Sequence, residues 1–186
     1  MSGVAIFTDA SLHAKLSCGV GAFLVLPAAT LDVLDMPAGS HSANFFDQLR
    51  FQRFAATSST ALELQTALWA LESCRKEHTV SEVGRLKLYS DSQCIAGLLK
   101  RRADLERNAF CAKRSRRLLN NADLYRIYFE LYDTQGFDVI KMTGHTCSSS
   151  RDTAHSIFSF LDREVRRALR VWVHELIEHG GSAAPI

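Results

Sequence analysis

Two apolar runs that each end on an aspartate constrain this chain most: Val4-Ala-Ile-Phe-Thr-Asp9 and Leu86-Lys-Leu-Tyr-Ser-Asp91. Short runs of this composition read as buried strands. Two further acids, Glu63 and Asp162, lie within apolar-faced helical patterns. Carboxylates at the ends of two strands and on two covering helices can converge on one point. Converging carboxylates repel one another and resist ionisation unless a cation joins them. A hard divalent ion held by oxygen ligands is the natural partner. The pattern therefore points to metal-assisted phosphoryl chemistry.

The remaining bounds agree with a soluble globular domain. The chain has 186 residues, enough for one domain with a sizeable core, and 47% of them are apolar. A single domain is expected over residues 1–179, with a disordered tail at 180–186. The five cysteines (Cys18, Cys74, Cys94, Cys111 and Cys147) are odd in number and form no C-x-x-C pair. That pattern argues against a disulfide framework or a zinc knuckle and for a reducing, cytoplasmic setting. No secretory signal opens the sequence. The apolar run Val20 to Leu26 stops at Pro27 and is too short to span a bilayer.

Along the chain, Val4–Thr8 and Gly19–Leu26 read as an antiparallel hairpin around a loop at His13-Ala-Lys15. Residues 27–48, with Pro37, Gly39 and Ser40 as breakers, read as an irregular insertion. Leu49, Phe51 and Phe54 suggest a third strand. Leu64, Leu68 and Leu71 recur at helical spacing behind Thr57-Ser-Ser-Thr60. A fourth strand at 85–90, a short helix at 92–99, a helix at 120–133, a fifth strand at 137–142 and a long helix at 153–179 follow. The order implies an α/β fold, a five-stranded mixed sheet with helices on both faces.

These residues match a known pattern. Ile6-Phe-Thr-Asp9-Ala-Ser11 with Gly19-Val-Gly-Ala-Phe23 resembles the opening hairpin of ribonuclease H. The run from Thr57 through Glu63 to Glu72 resembles that family's first helix with its glutamate. Leu88-Tyr-Ser-Asp91-Ser-Gln93 resembles its fourth-strand aspartate. Val139-Ile-Lys-Met-Thr-Gly-His145 resembles its fifth strand and loop histidine, and Leu161-Asp162-Arg-Glu-Val-Arg-Arg-Ala-Leu169 its last helix. The matches come in family order and span residues 4 to 170. Each is weak alone; five in order, each on the right element, are specific.

The resemblance implies a ribonuclease H-like enzyme, a monomer that hydrolyses the RNA strand of RNA–DNA hybrids and leaves 5′-phosphate and 3′-hydroxyl ends. Two Mg²⁺ or Mn²⁺ ions, about 4 Å apart in such sites, would flank the scissile phosphate. Asp9, Glu63, Asp91 and Asp162 would be the ligands. Asp152 competes with Asp162, because the loop after His145 is longer than is usual in the family. Asp162 is favoured by its D-R-x-x-R-x-A-L setting, although it could simply pair with Arg166. His145 would assist by moving a proton. Ser11, Ser59, Thr60 and Gln93 occupy positions that contact substrate in the family, where the 2′-hydroxyl is read. Residues 100–117 carry eight cations against two acids. Lys100, Arg101, Arg102, Lys113, Arg114, Arg116 and Arg117 of this basic protrusion would grip phosphates, a salt-dependent and sequence-independent attraction. A nuclease of the same fold acting on structured DNA or duplex RNA, and a non-catalytic nucleic-acid-binding module, are the alternatives.

Overall fold

The computed structural model describes residues 3–33, 47–77, 86–143 and 153–178. His145, Asp152, most of the 27–48 insertion and the 180–186 tail lie outside the described residues.

β1 (Val4–His13) and β2 (Cys18–Pro27) form the expected antiparallel hairpin, joined through a 3₁₀ turn at Ala14–Leu16. A short helix α1 (Ala29–Val33) follows, and β3 (Arg50–Phe54) pairs antiparallel with β2. Next come α2 (Ser59–Glu77), β4 (Leu86–Ser90), α3 (Gln93–Arg107), α4 (Ala122–Gln135), β5 (Phe137–Lys141) and α5 (Thr153–Glu178). β4 runs parallel to β1, and β5 parallel to β4. The sheet order is β3-β2-β1-β4-β5, mixed and five-stranded as the sequence implies.

The continuous apolar character of β1 follows from its central place. Ala5, Ile6 and Phe7 are all fully buried, because both faces of the strand are covered. Ile6 packs with Leu64, Leu68 and Leu71 of α2 and with α3 and α4. Ala5 and Phe7 pack with Ile157, Phe160, Leu161 and Val165 of α5 on the opposite face. Strand residues alternate faces, so Asp9 takes the phase of Ala5 and Phe7 and belongs to the α5 side. Each fully buried leucine contributes about 2 kcal/mol of transfer free energy, and these two layers fix both helices to the sheet.

Helix α3 corrects the sequence reading. The sequence suggests a short helix ending near residue 99, but it continues to Arg107. Leu98 and Leu105, seven residues apart, both reach the core. The lysine and arginines between them are long unbranched side chains that lose little freedom in a helix and suit its solvent face. The basic block at 100–117 is thus half helix and half loop. Ala109 and Phe110 take left-handed φ values of 49° and 57° to turn the chain out of α3. The Phe110 ring packs toward Phe129, and the Arg126 guanidinium covers it at 4.7 Å. A bridge between Cys111 and Leu118 closes the loop, and Lys113 ties back to Asp104 at 3.1 Å.

Gly19 and Gly21 of β2 let α2 approach the sheet closely. A Cβ on Gly21 would lie 2.0 Å from Thr66 Oγ1, and one on Gly19 would lie 2.4 Å from Leu62 Cδ2. Thr66 is buried and its hydroxyl is committed to the Leu62 carbonyl at 2.8 Å, so it has no cheap way to move. Gly21→Ala is expected to cost about 1–3 kcal/mol through overpacking, read as a lower urea midpoint. Thr66→Ala in the same chain should return most of the loss. An unchanged midpoint in Gly21→Ala would show that α2 is not seated on these glycines.

Candidate active site

Asp9 lies within β1, just past the point where its pairing with β4 stops, and Asp91 lies just past the end of β4. Phe7 pairs with Tyr89, so Asp9 and Asp91 each lie two residues further along. Their rings stack at 4.5 Å just below the two acids and close off the sheet beneath them. A shallow depression there is lined by Thr8, Asp9, Ala10, Glu63, Thr66, Ser90 and Asp91. Three of the four expected ligands therefore share one hollow. Asp162, on α5, lies close enough that its charge raises the pKa of both Asp9 and Asp91.

The electrostatics are those of crowded, partly buried acids. Burial pushes the Asp9 carboxyl up from 3.8 to about 7, with Asp91 and then Asp162 adding to the rise. Desolvation at the strand end also raises Asp91, followed by the charges of Glu63 and Asp162. The ligand atoms offered are all oxygens, the chemistry that hard divalent ions accept. Raised carboxyl pKa values are what a bound cation would relieve. The donor set fits the ions that the family resemblance implies.

The acids are nevertheless held apart. Among the described residues no three acids, histidines or cysteines form a ready-made metal cage. Glu63 accepts from Ser59 Oγ at 3.2 Å and, on its other oxygen, from Ser92 Oγ. Asp162 accepts from Arg166 Nε at 2.8 Å. Each outer acid is thus satisfied by a neighbour of its own.

Ser92 is the residue the sequence reading missed. It is buried, it caps α3 through the Ile95 amide, and it donates to Glu63. One hydroxyl therefore joins the helix that follows Asp91 to the helix that carries Glu63. Its position, directly after a strand-end aspartate and before a helical run, was the available signal. At the start of α2 the capping oxygen belongs to Ser58, which accepts from the Ala61 amide, and Ser59 turns to Glu63 instead.

The expected substrate contacts divide into several groups. Thr60 lies in the first turn of α2, beside Ser59. Ser11 lies on β1 in the same phase as Asp9, paired with Val20. The side-chain oxygen of Gln93 meets the Lys141 ammonium at the end of β5. Lys100 and Arg101 are exposed on α3. Arg102 is engaged within the fold: it bonds Asp133 through both terminal nitrogens and Glu106 through Nε, and it covers the Phe129 ring at 5.0 Å. Arg114, Arg116 and Arg117 project from the loop, exposed. A larger cleft of about 510 Å³ lies between β3 and α5, lined by Phe51, Arg53, Glu164 and Arg167 among others, and contains none of the four acids.

No family model matches this chain, and no curated protein resembles it in sequence. Solved structures do share its fold. The crystal structure of prototype foamy virus protease-reverse transcriptase superposes with a TM-score of 0.60 at 12% identity, over 89% of this chain and 20% of that one. LC11-RNase H1, isolated from compost by a metagenomic approach, gives 0.53 at 11% identity, over 91% of this chain and 99% of that one. LC9-RNase H1, described as a type 1 RNase H with the type 2 active-site motif, gives 0.53 at 17%, over 78% and 64%. This chain thus spans one fifth of the viral protein and nearly all of LC11-RNase H1. At these identities the shared property is the fold, a mixed five-stranded sheet of the ribonuclease H type.

Proposed function

We propose that this chain is a ribonuclease H-type endonuclease that cuts the RNA strand of RNA–DNA hybrids with two divalent ions, leaving 5′-phosphate and 3′-hydroxyl ends. The observation that carries the reading is the gathering of Asp9, Glu63 and Asp91 around one hollow of a ribonuclease H-like sheet, where burial and the neighbouring acids also push the Asp9 carboxyl up. A pure binding module for a polyanion gains nothing from acids crowded in this way.

In this reading Asp9, Glu63, Asp91 and Asp162 would hold Mg²⁺ or Mn²⁺. Bound there, such ions supply an activated water and charge stabilisation at the leaving oxygen. The chain's own groups do the rest. Ser59 and Ser92 orient Glu63 through its two oxygens. The stacked Phe7 and Tyr89 rings keep water from beneath the acids. Ser11, Thr60 and Gln93 line the approach for the sugar edge, and His145 hands a proton to the leaving group. The protein acts as a monomer in a reducing, cytoplasmic compartment; among the described residues no helix is long and apolar enough to cross a membrane.

The direct test is cleavage of a labelled RNA–DNA hybrid with Mg²⁺ or Mn²⁺, beside duplex RNA and duplex DNA. Selective loss of the RNA strand of the hybrid supports the proposal. An intact hybrid beside a cut duplex would reassign the substrate, and three intact substrates would remove the catalytic reading.

The exposed loop provides a separate prediction. Arg114, Arg116 and Arg117 make no ion pair among the described residues, whereas Arg102 is engaged with Asp133 and Glu106. Replacing the three loop arginines with alanine should weaken hybrid binding and lower the salt-dependence slope by roughly 2–3, close to one unit per lost phosphate contact. Fluorescence anisotropy across a salt series measures both. An unchanged slope would return this loop to an ordinary solvated surface.

A further inference from the structure

Four arginines line the middle of α5, and they do not behave alike. Arg163 and Arg167 turn to the buried Glu164, at 3.3 Å and 3.8 Å. Arg166 turns the other way and donates Nε to Asp162 at 2.8 Å. A plain solvent-side pair at i,i+4 would concern Asp162 alone. Here the guanidinium also acts across the site: its charge draws the carboxyls of Asp9, on β1, and Asp91, after β4, back down against burial. Glu63 on α2, the fourth acid, is served by Ser59 and Ser92 instead. Arg166 is thus a protein cation bonded directly to one acid of the cluster, on an exposed arm that can swing away.

We propose that Arg166 is the resident counter-ion of the carboxylate site: it occupies Asp162 until a divalent ion displaces it, and so sets the ion concentration at which the site fills. The two cannot share Asp162 without repulsion, and the arm is long and solvated enough for the exchange to be cheap. The inference rests on the proposed nuclease reading only in requiring that a divalent ion enters this site.

The test is calorimetric titration of the full chain with Mn²⁺ and with Mg²⁺, without nucleic acid. Arg166→Gln should bind about three- to tenfold more tightly than the parent, the size expected for losing an exposed pair together with the repulsion. The gain should shrink at high salt, where the exposed arm is screened. Arg166→Lys, which keeps the charge, should stay near the parent. In an Asp162→Asn background, Arg166→Gln should add little, because the shared ligand is gone. Circular dichroism of each variant checks that the fold persists. Equal or weaker ion binding by a folded Arg166→Gln would overturn the counter-ion role and leave the nuclease reading standing. Absence of ion binding by the parent itself would overturn both.

Discussion

Asp9→Asn is expected to reduce hybrid cleavage by a thousandfold or more while leaving the chain folded. Asparagine keeps the size and shape of the side chain, and the β1–β2 register around Asp9 and Ala22 does not depend on its charge. The substitution removes a negative oxygen that would hold the proposed ions. Ion-assisted stabilisation of an attacking and a leaving oxygen is worth several kcal/mol, and each ~1.4 kcal/mol is about tenfold in rate. Single-turnover cleavage of a labelled hybrid gives the rate, and a urea midpoint at least as high as the parent's shows that the fold is intact. The loss should appear in kcat, with hybrid affinity little changed, because the phosphate grip lies elsewhere on α3 and its following loop. A well-folded variant that keeps a tenth of parental activity would remove Asp9 from the catalytic centre.

The sequence disclosed the fold and the inner acids for a physical reason. A central stretch of strand buried on both faces is largely apolar, so a charge that closes such a run is conspicuous; Asp9 after Val4–Thr8 and Asp91 after β4 stand out this way. Leucines at helical spacing in α2 and a strong apolar stripe in α5 placed Glu63 and Asp162 on covering helices. Longer-range features were not legible. The extension of α3 to Arg107 depends on Leu105 finding the core, a tertiary contact that a local basic run conceals. Arg102 belongs to a charge block in sequence, yet Asp133, thirty-one residues on, claims it. The role of Ser92 depends on Glu63 arriving from another helix, and the glycines of β2 reveal their purpose only when Thr66 is set against them.

The raised carboxyl of Asp9 also predicts how stability should change with pH. In the unfolded chain Asp9 ionises near 3.8; in the fold it does so near 7. Between those values the folded state holds a proton that the unfolded state has lost. Stability therefore falls as pH rises through the window and levels off above it. Asp91, also raised, acts in the same direction, while Arg166 opposes both. Other carboxylates add their own pH dependence, so the diagnostic quantity is the parent minus Asp9→Asn. Without divalent ions, that difference should move against the parent by about 4 kcal/mol from pH 4 to pH 8, or roughly 8–16 °C in Tm. Divalent ions should offset much of it: at a hundred times their Kd they stabilise the parent by about 2.7 kcal/mol, and the asparagine variant by much less. Melting curves at pH 4 and pH 8, with and without Mn²⁺, supply all the comparisons. A pH-independent difference would mean that Asp9 is not held protonated by its surroundings. Equal ion stabilisation of both proteins would place the cation away from Asp9. The site's cost to stability and its capacity for ions thus have one source, carboxylates crowded where two buried parallel strands part.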